Sequence, residues 1–504
     1  MRTTIAASLL LSALSATVDA TRPFLNEPEI AQADQYGELE PGFQLPPLDK
    51  IIGIPDFDYV ARGFLNISSY TSYRAGAGGE WSYRNNLEVY SRMHFRPRMM
   101  IDVNNIEASM PTTILGYNFS APFFIAPAAI AGYANATGEV GLTKASAAKN
   151  LMYINAQFST RSQADIQAAR APGQIMFHQL YVNKNITKTE ELIRRAEANN
   201  YQALFVTVDS PGDANRQRAA RFGVGSADNS FTAITWDDYQ AIRNLTKLPV
   251  ILKGIQTVED AVIAANLGAP AIYLSNHGGR QLDGSPSPFE VALEIHEQAP
   301  WVFDALEVFA DGGVRYGSDV VKMLALGVKA VGMGRAFMYA NVYGEEGVKR
   351  AIDIMRREIY MDAANLGVAD LKQINSSFLN IKKFETAPWG FHHTTVMSKV
   401  RRAKRSKNQD SDLAHNLATA VARMGKVNSR MDVLKSELRA TQAARSRTQI
   451  RRDRRVAEEK HLGLLLFEAV HGKAYERAEE ELQQYRARKT AWAELVRAGR
   501  DVLY

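Results

Sequence analysis

AIYLSNHGGRQLDGS, residues 271–285, runs from an unbroken apolar segment straight into a histidine, two glycines and an arginine. AIYLSN lacks the polar alternation of a half-exposed strand, which suits a parallel strand buried on both faces. Seven other runs share that character: FFIAP (123–127), MYIN (152–155), IMFHQLY (175–181), ALFVTVD (203–209), PVILKG (249–254), EVFADGG (307–313) and AVGMGR (330–335). Segments with helical periodicity, such as GEVGLTKASAAKN and TVEDAVIAANLGA, follow them. Eight βα units in succession predict an α/β chain folded as a closed (β/α)8 TIM barrel. The alternative is an open doubly wound sheet, but no G-x-G-x-x-G turn follows the first run.

In a barrel, chemistry belongs at the C-terminal ends of the strands. There the runs deliver Gln179 and Tyr181, Thr207 and Asp209, Lys253, His277 and Arg280, Asp311 and Arg315, and Gly334 and Arg335. Taken singly, Lys253 reads as a surface cation, Asp209 as a helix cap and Tyr181 as a wall residue. Together they place more charge on one ring of strand ends than a core tolerates without ligands. ADGGVRYGSD (310–319) and AVGMGRAF (330–337) put glycines where bare N–H groups and a helix N-terminus meet an anion, with Arg315 and Arg335 as bidentate partners. A phosphate is expected there, and no metal site.

The 504 residues, 46% hydrophobic with a net charge of +6, provide for one large domain and additional parts. MRTTIAASLLLSALSATVDA (1–20) has the charge, short apolar run and small-residue end of a signal peptide. Six N-x-S/T sequons, at Asn66, Asn118, Asn135, Asn185, Asn244 and Asn375, are compatible with a secretory or extracellular glycoprotein. The absence of cysteine excludes disulfides. Residues 21–49 form an N-terminal extension, 50–390 the barrel domain and 395–504 a basic tail. In the tail, Leu417, Ala420, Met424, Val427, Met431, Leu434 and Leu438 mark an a/d seam, which predicts a coiled-coil-like helical extension with a helical partner. Its clusters Arg401, Arg402, Lys404 and Arg405, and Arg451, Arg452, Arg454 and Arg455, lack interleaved aromatics, and nucleic-acid binding is not expected.

SNHGGRQLD, the stretch Asp311–Gly327, the GMGR turn, HQLYV and VTVDSP resemble the FMN-dependent 2-hydroxy acid oxidase and dehydrogenase family, which includes glycolate oxidase, lactate oxidase, lactate 2-monooxygenase and flavocytochrome b2. The similarity runs from about residue 50 to about residue 385. It implies FMN across the barrel mouth and a small 2-hydroxy acid as substrate. By this resemblance His277 is the base, Asp209 steadies its protonated form, and Tyr181 donates to the substrate oxygen. Arg280, Arg216 and Tyr73 bind the substrate carboxylate. Lys253 lies near flavin N1 and O2; Gln179, Thr207 and Ser275 bond the polar edge of the ring; Pro127, Ala128 and Ala129 run along N5. Asp311, Gly313, Arg315, Gly334 and Arg335 hold the phosphate. A homo-oligomer, the family's usual tetramer, is implied as well.

Three segments depart from the family pattern. In SYTSYRAGAGGEW the early tyrosine falls at Ser72 or Tyr73, and Tyr73 is taken here. INAQFST offers Asn155, Ala156 or Gln157 where a flavin-contacting hydroxyl is expected. PGDANRQRAARF offers Arg216, with Arg218 if the register slips, and only GVGSADNSFTAIT then precedes Trp236, a short segment where the family carries a long lid. A short lid restrains the keto acid poorly, so an oxidase passing electrons to O2 is expected over a monooxygenase. With no haem domain read ahead of the barrel, a cytochrome-coupled dehydrogenase is less expected, another acceptor being the alternative. A different phosphate-binding barrel enzyme, such as an isomerase of diphosphate substrates, and an interaction protein built on the tail with a degenerate barrel are the competing readings.

Overall fold

The computed structural model describes residues 32–37, 39, 42–225 and 234–386. The expected signal peptide, part of the 21–49 extension, the middle of the short lid and the 395–504 tail with its seam lie outside the described residues.

The described residues form ten strands: β1 (Thr112–Ile114), β2 (Tyr117–Phe119), β3 (Phe123–Ile125), β4 (Met152–Asn155), β5 (Phe177–Tyr181), β6 (Leu204–Thr207), β7 (Val250–Ile255), β8 (Ala271–Leu274), β9 (Glu307–Ala310) and β10 (Ala330–Met333). The last eight close a parallel barrel in chain order, with β10 pairing back onto β3. Seven of these eight fall within the apolar runs, and β7 passes the end of PVILKG by one residue, Ile255. Most are shorter than the run, because the final residues leave the ladder to build the mouth: β6 stops at Thr207, two residues before Asp209.

Strand residues alternate between two cores. Phe124, Met152, Phe177, Phe205, Ile251, Tyr273 and Phe309 fill the barrel interior. Phe205 meets Tyr273 edge-on at 6.1 Å and packs on Phe177 at 5.8 Å. Truncating one such ring to alanine costs roughly 3–5 kcal/mol. Ile125, Leu204, Val206, Leu252, Ile272, Leu274 and Val308 point outward against the helices. Those helices start where the sequence caps them. Ser287 accepts from the Glu290 N–H, Glu290 returns the bond, and Pro288 sits at the first turn of Pro288–Gln298.

Two features were not read from the sequence. The antiparallel hairpin β1–β2 inserts Ile114 and Phe119 into the interior cluster and so plugs the floor of the barrel. Among the described residues, three helices of eight residues or more, Ile54–Phe64, Ile67–Arg74 and Trp81–Arg92, precede the barrel. The third packs on Pro288–Gln298 near the mouth.

Candidate active site

The same alternation that puts rings inside the barrel carries functional groups to its top. Continuing by twos from the interior residues gives Phe177, Gln179, Tyr181; Phe205, Thr207, Asp209; Ile251, Lys253; Tyr273, Ser275, His277; and Phe309, Asp311, Gly313. They surround a mouth cavity of about 510 Å³. Tyr73, Pro127, Ala128, Ala129, Gln179, Tyr181, Thr207, Arg216, Lys253, His277, Arg280, Asp311, Gly313, Arg315, Gly334 and Arg335 all line it. Asp209 and Ser275 stand behind this wall, buried, and act on it through their neighbours.

His277 Nδ1 lies 2.8 Å from Asp209 Oδ1. Asp209 is wholly covered, whereas 18% of the His277 side chain remains exposed. His277 sits in the left-handed region at φ 57°, and Gly278 and Gly279 continue the turn at 65° and 71°. That conformation costs a non-glycine residue on the order of 1 kcal/mol. It is held by the His277 N–H donating to Ser275 Oγ at 3.1 Å and by the Asp209 bond. Burial pushes the imidazole below its ordinary range, and Asp209 opposes this only in part. Burial also pushes the Asp209 carboxyl up, but His277, Lys253 and the shared hydrogen bond together hold it down. The pair therefore rests as carboxylate and neutral imidazole, with Nδ1–H donating to Asp209 and Nε2 free to take a proton. Tyr181 Oη is 3.5 Å from Nε2. Burial first, then the charge of Asp209, raises the phenol well above its ordinary range, so it stays a donor.

Gly254, in β7, has φ 114° and brings the Asp209 side chain against the strand: a Cβ there would lie 2.5 Å from Asp209 Cβ. Beyond it, Lys253 Nζ donates to Ser275 Oγ at 3.1 Å and lies 4.0 Å from Asp311 Oδ2, which accepts from Ser275 Oγ at 3.1 Å. Burial raises the Asp311 carboxyl and Lys253 offsets it in part. Gln179 Nε2 donates to Thr207 Oγ1 at 2.9 Å.

Arg280 donates to the carbonyls of Tyr73 and Ala75, both at 3.0 Å. Arg216 donates to the Arg280 carbonyl at 2.9 Å and to Gln281 Oε1. Burial first, then the like charges of Arg216 and Arg335, depresses Arg280.

The structure separates the open alternatives. Arg218 grips Glu80 with Nε at 2.8 Å and Nη2 at 2.7 Å and does not reach the cavity, whereas Arg216 does. Asn155 turns outward to Tyr201 Oη at 3.0 Å, and Gln157 accepts from the Tyr181 N–H at 2.8 Å. That leaves Ala156 on the cavity wall, with no hydroxyl. Ser72 and Tyr73 both line the cavity, but the Tyr73 hydroxyl donates to the Ile130 carbonyl at 2.7 Å. Arg335 differs from expectation. Its guanidinium donates to the carbonyls of Tyr73 (2.8 Å), Gly278 (2.9 Å) and Ala75 (3.2 Å), so it pins loops and does not fork toward a phosphate. The Arg335 backbone stands at the start of the helix Arg335–Ala340, next to Gly334.

The sequence reading passed over Asn276 and Asn86, whose side-chain amides bond each other reciprocally at 2.8 and 2.9 Å. Asn276 lies inside the SNHGG stretch, and a polar side chain buried at a strand end was the available signal.

Comparison with known proteins places this arrangement. Residues 61–233 and 225–381 match the family described as FMN-dependent dehydrogenase. The L-lactate dehydrogenase (cytochrome) of Saccharomyces cerevisiae is 35% identical over 74% of this chain and 67% of its own length, and that of Wickerhamomyces anomalus 34% identical over 71% and 66%, so the chain spans about two thirds of these relatives. The glycolate oxidase of Spinacia oleracea is 34% identical over 66% of this chain and 96% of its own length. Among solved structures, a flavocytochrome b2 variant with pyruvate bound superposes with a TM-score of 0.65 at 34% identity, covering 78% of this chain and 96% of that one. A mandelate oxidase with a difluoro hydroxy acid gives 0.61 at 32% identity, covering 66% and 98%. The chain belongs to the FMN-dependent dehydrogenase family and is an FMN-dependent oxidoreductase of 2-hydroxy acids, acting on their CH–OH group.

Proposed function

We propose that the chain oxidises a small L-2-hydroxy acid to the 2-keto acid and passes the electron pair to O2, releasing H2O2. The observation that carries the reading is the 2.8 Å Asp209–His277 pair facing one cavity with Arg280 and Arg216. A hydroxy acid brings a carboxylate that needs fixed cations and a carbinol carbon that needs a base beside it. A diphosphate isomerase needs neither in this arrangement.

The residues present fit FMN. Gly313 (φ 77°) lies flush against the backbone of the Trp81–Arg92 helix and Gly312 (φ 92°) against the Pro288 ring, and a Cβ on Gly334 meets nothing within 4 Å, so a phosphate has room at bare backbone. Asp311 Oδ1 is buried without a partner, and Lys253 is a buried cation with a carboxylate only at 4.0 Å. Gly313, Arg315 and the Gly334–Arg335 backbone would hold the phosphate, with Asp311 beneath. Gln179, Thr207 and Lys253 would bond the polar edge of the ring, Ser275 ordering Lys253 from behind, and Pro127–Ala129 would border N5. Bound there, FMN would supply the acceptor for the C2 hydrogen and the electron pair that the C2–OH unit loses, the hydroxyl proton going to His277.

The protein's own groups do the rest. Arg280 and Arg216 fix the carboxylate and so direct C2 toward the ring and its hydroxyl toward His277. His277 Nε2 takes the proton, and Asp209 stabilises the imidazolium that results. Tyr181, kept protonated, donates to the substrate oxygen. Lys253 offsets negative charge on the ring. Tyr133, Phe158 and Ile130 border the space left for the substrate side chain.

Support for O2 as acceptor comes from the small Ala129 beside the proposed N5 position and from oxidases matched over 95–96% of their length. The test is anaerobic titration with L-lactate, glycolate and L-mandelate while following flavin absorbance near about 450 nm. Bleaching by one of them, then recovery in air with one peroxide and one keto acid per turnover, is the expected result. Recovery with carbon dioxide in place of keto acid identifies a monooxygenase, and recovery only with an added dye or cytochrome a dehydrogenase.

We also propose passage through the secretory route. Asn66, Asn118, Asn185, Asn244 and Asn375 are exposed, which supports that reading.

A further inference from the structure

We infer that the helix Trp81–Arg92 holds the base turn and the phosphate turn in register, with Asn86 and Tyr90 as positioning residues for His277 and for FMN. The inference rests on the placement of FMN proposed above. Its first half is the reciprocal amide pair. Asn86 Nδ2 donates to Asn276 Oδ1 at 2.8 Å, and Asn276 Nδ2 donates to Asn86 Oδ1 at 2.9 Å. Both residues are buried, 2% and 1% exposed. Asn276 immediately precedes His277, and its amide also accepts from the Gly279 N–H at 2.9 Å and donates to the Pro286 carbonyl at 3.0 Å. The left-handed turn that carries His277 and Arg280 is therefore tied through one saturated side chain to a helix 190 residues earlier.

The second half lies one turn along the same helix. Tyr90 Oη donates to the Gly312 carbonyl at 2.8 Å, and the Tyr90 carbonyl accepts from Lys322 Nζ at 2.8 Å. Lys322 belongs to the helix Gly317–Ala325, whose Asp319 carboxylate accepts from the backbone N–H groups of Arg315 (2.9 Å) and Tyr316 (3.1 Å). Tyr90 thus clasps the glycine turn from one side while its carbonyl anchors the helix that follows that turn.

Backbone contact joins the two halves. A Cβ on Gly279 would fall 2.5 Å from the Tyr83 nitrogen, and one on Gly313 would fall 1.9 Å from the Asn86 carbonyl oxygen. Both turns press directly on the helix backbone, within one turn of each other, where only glycine fits. A close-packed helix yields little between two such contacts, so displacement of either turn is passed to the other. Filling the phosphate site then also sets the position of the base and of Arg280.

The experiment uses Asn86→Ala and Tyr90→Phe beside the wild-type holoenzyme. FMN affinity of the apoprotein is read from quenching of flavin fluorescence, and the affinity of the FMN-saturated protein for oxalate, an unreactive carboxylate, from the flavin difference spectrum. Thermal unfolding of each apoprotein checks folding. Tyr90→Phe, which removes one hydroxyl at the phosphate turn, is expected to raise the FMN dissociation constant about fivefold and, at saturating FMN, the oxalate constant at least threefold. Asn86→Ala is expected to raise both constants about tenfold and to lower kcat more than it raises KM. A change in FMN affinity alone with Tyr90→Phe, or in oxalate affinity alone with Asn86→Ala, overturns the coupling. Should Asn86→Ala not fold, Tyr90→Phe decides by itself. If the wild-type protein neither quenches flavin nor responds to oxalate, the FMN reading fails and the coupling with it, an outcome distinct from a wild type that responds and variants that lose only one affinity.

Discussion

The Asp209 carboxylate and the His277 imidazole share a 2.8 Å contact in which the acid is fully covered and the base keeps its far nitrogen toward the cavity. This asymmetry fixes the direction of proton transfer. Burial of His277 lowers its pKa below the ordinary value of 6.5, and the Asp209 charge partly restores it. A base works in its neutral form, so kcat/KM is expected to be full at neutral pH and to fall with acid through a midpoint below 6.5.

Asp209→Asn tests the same pair from the other side. Without the carboxylate the imidazolium loses its support, so the acid limb moves to still lower pH while kcat falls by about a hundredfold or more. The pH profile of kcat/KM for both proteins measures this. An unchanged limb with a reduced rate assigns Asp209 a structural role only.

Arg216 and Arg218 are two residues apart in sequence and do different work. Arg216→Lys keeps the charge and loses the planar fork, so KM is expected to rise by about tenfold or more. Glu80→Gln breaks the Arg218 fork instead. Burial pushes the Glu80 carboxyl up, but the bonds from Arg218 and the Gly76 N–H, with Arg74 nearby, win and bring it to about 2. A depressed carboxyl stabilises the fold above its unfolded pKa and loses that contribution as pH falls. Because Arg218 is 44% exposed, screening reduces the effect, and about 2 kcal/mol is expected at pH near 7. Urea unfolding of wild type and Glu80→Gln should differ by that much at neutral pH, and the difference should shrink steadily below about pH 4.5 toward about pH 2.

The barrel was legible because parallel strands covered on both faces must be continuously apolar, and five of the eight runs then surrender their last residues to the mouth. Asp209 and His277 could be placed beyond strand ends for that reason, whereas Lys253 stays within β7, two residues before its end. The plugging hairpin escaped notice because Thr112–Ile114 and Tyr117–Phe119 are three residues each and bury only Ile114 and Phe119 fully. Side-chain direction was the other loss. Arg335 was placed correctly at the eighth strand end, yet its guanidinium finds three carbonyls on loops more than 50 residues away in sequence, which no local pattern encodes. The Asn86–Asn276 pair is hidden for the same reason.

Lys253 bears on stability as well as chemistry. Lys253→Met leaves Asp311 with Ser275 as its hydrogen-bond donor and no nearby cation, and burial already raises that carboxyl. Leaving a buried charge unpaired costs about 3 kcal/mol. The sign with pH is opposite to that of Glu80: a carboxyl whose folded pKa is raised is relieved by protonation. The apoprotein of Lys253→Met is therefore expected to lose about 3 kcal/mol at pH near 7 and to recover part of it as pH falls toward 5. Denaturant midpoints at the two pH values measure this, and a loss independent of pH would assign the effect to packing of the lysine stem.

The six sequons divide by geometry. Asn66, Asn185 and Asn375 accept the N–H groups of Ser69, Thr187 and Ser377 through Oδ1 at the start of a helix or helical turn, and Asn375 also donates from Nδ2 to the Gln373 carbonyl at 3.0 Å. In Asn66 and Asn185 this leaves the nitrogen, where a glycan attaches, directed to solvent, and Asn118 likewise uses its oxygen, accepting from Thr113. Asn135 is only partly exposed, its Nδ2 donates to the Val342 carbonyl at 3.4 Å, and Gly344 lies against it. Expressed through a eukaryotic secretory pathway, the protein is expected to carry glycans at Asn66, Asn118 and Asn185, with Asn244 and Asn375 also accessible, and none at Asn135. Glycosidase treatment followed by peptide mass spectrometry reads each site separately. Unmodified peptides at all of the exposed positions would count against the secretory assignment and leave the enzymatic reading untouched, because none of these asparagines lines the cavity at the mouth of the barrel.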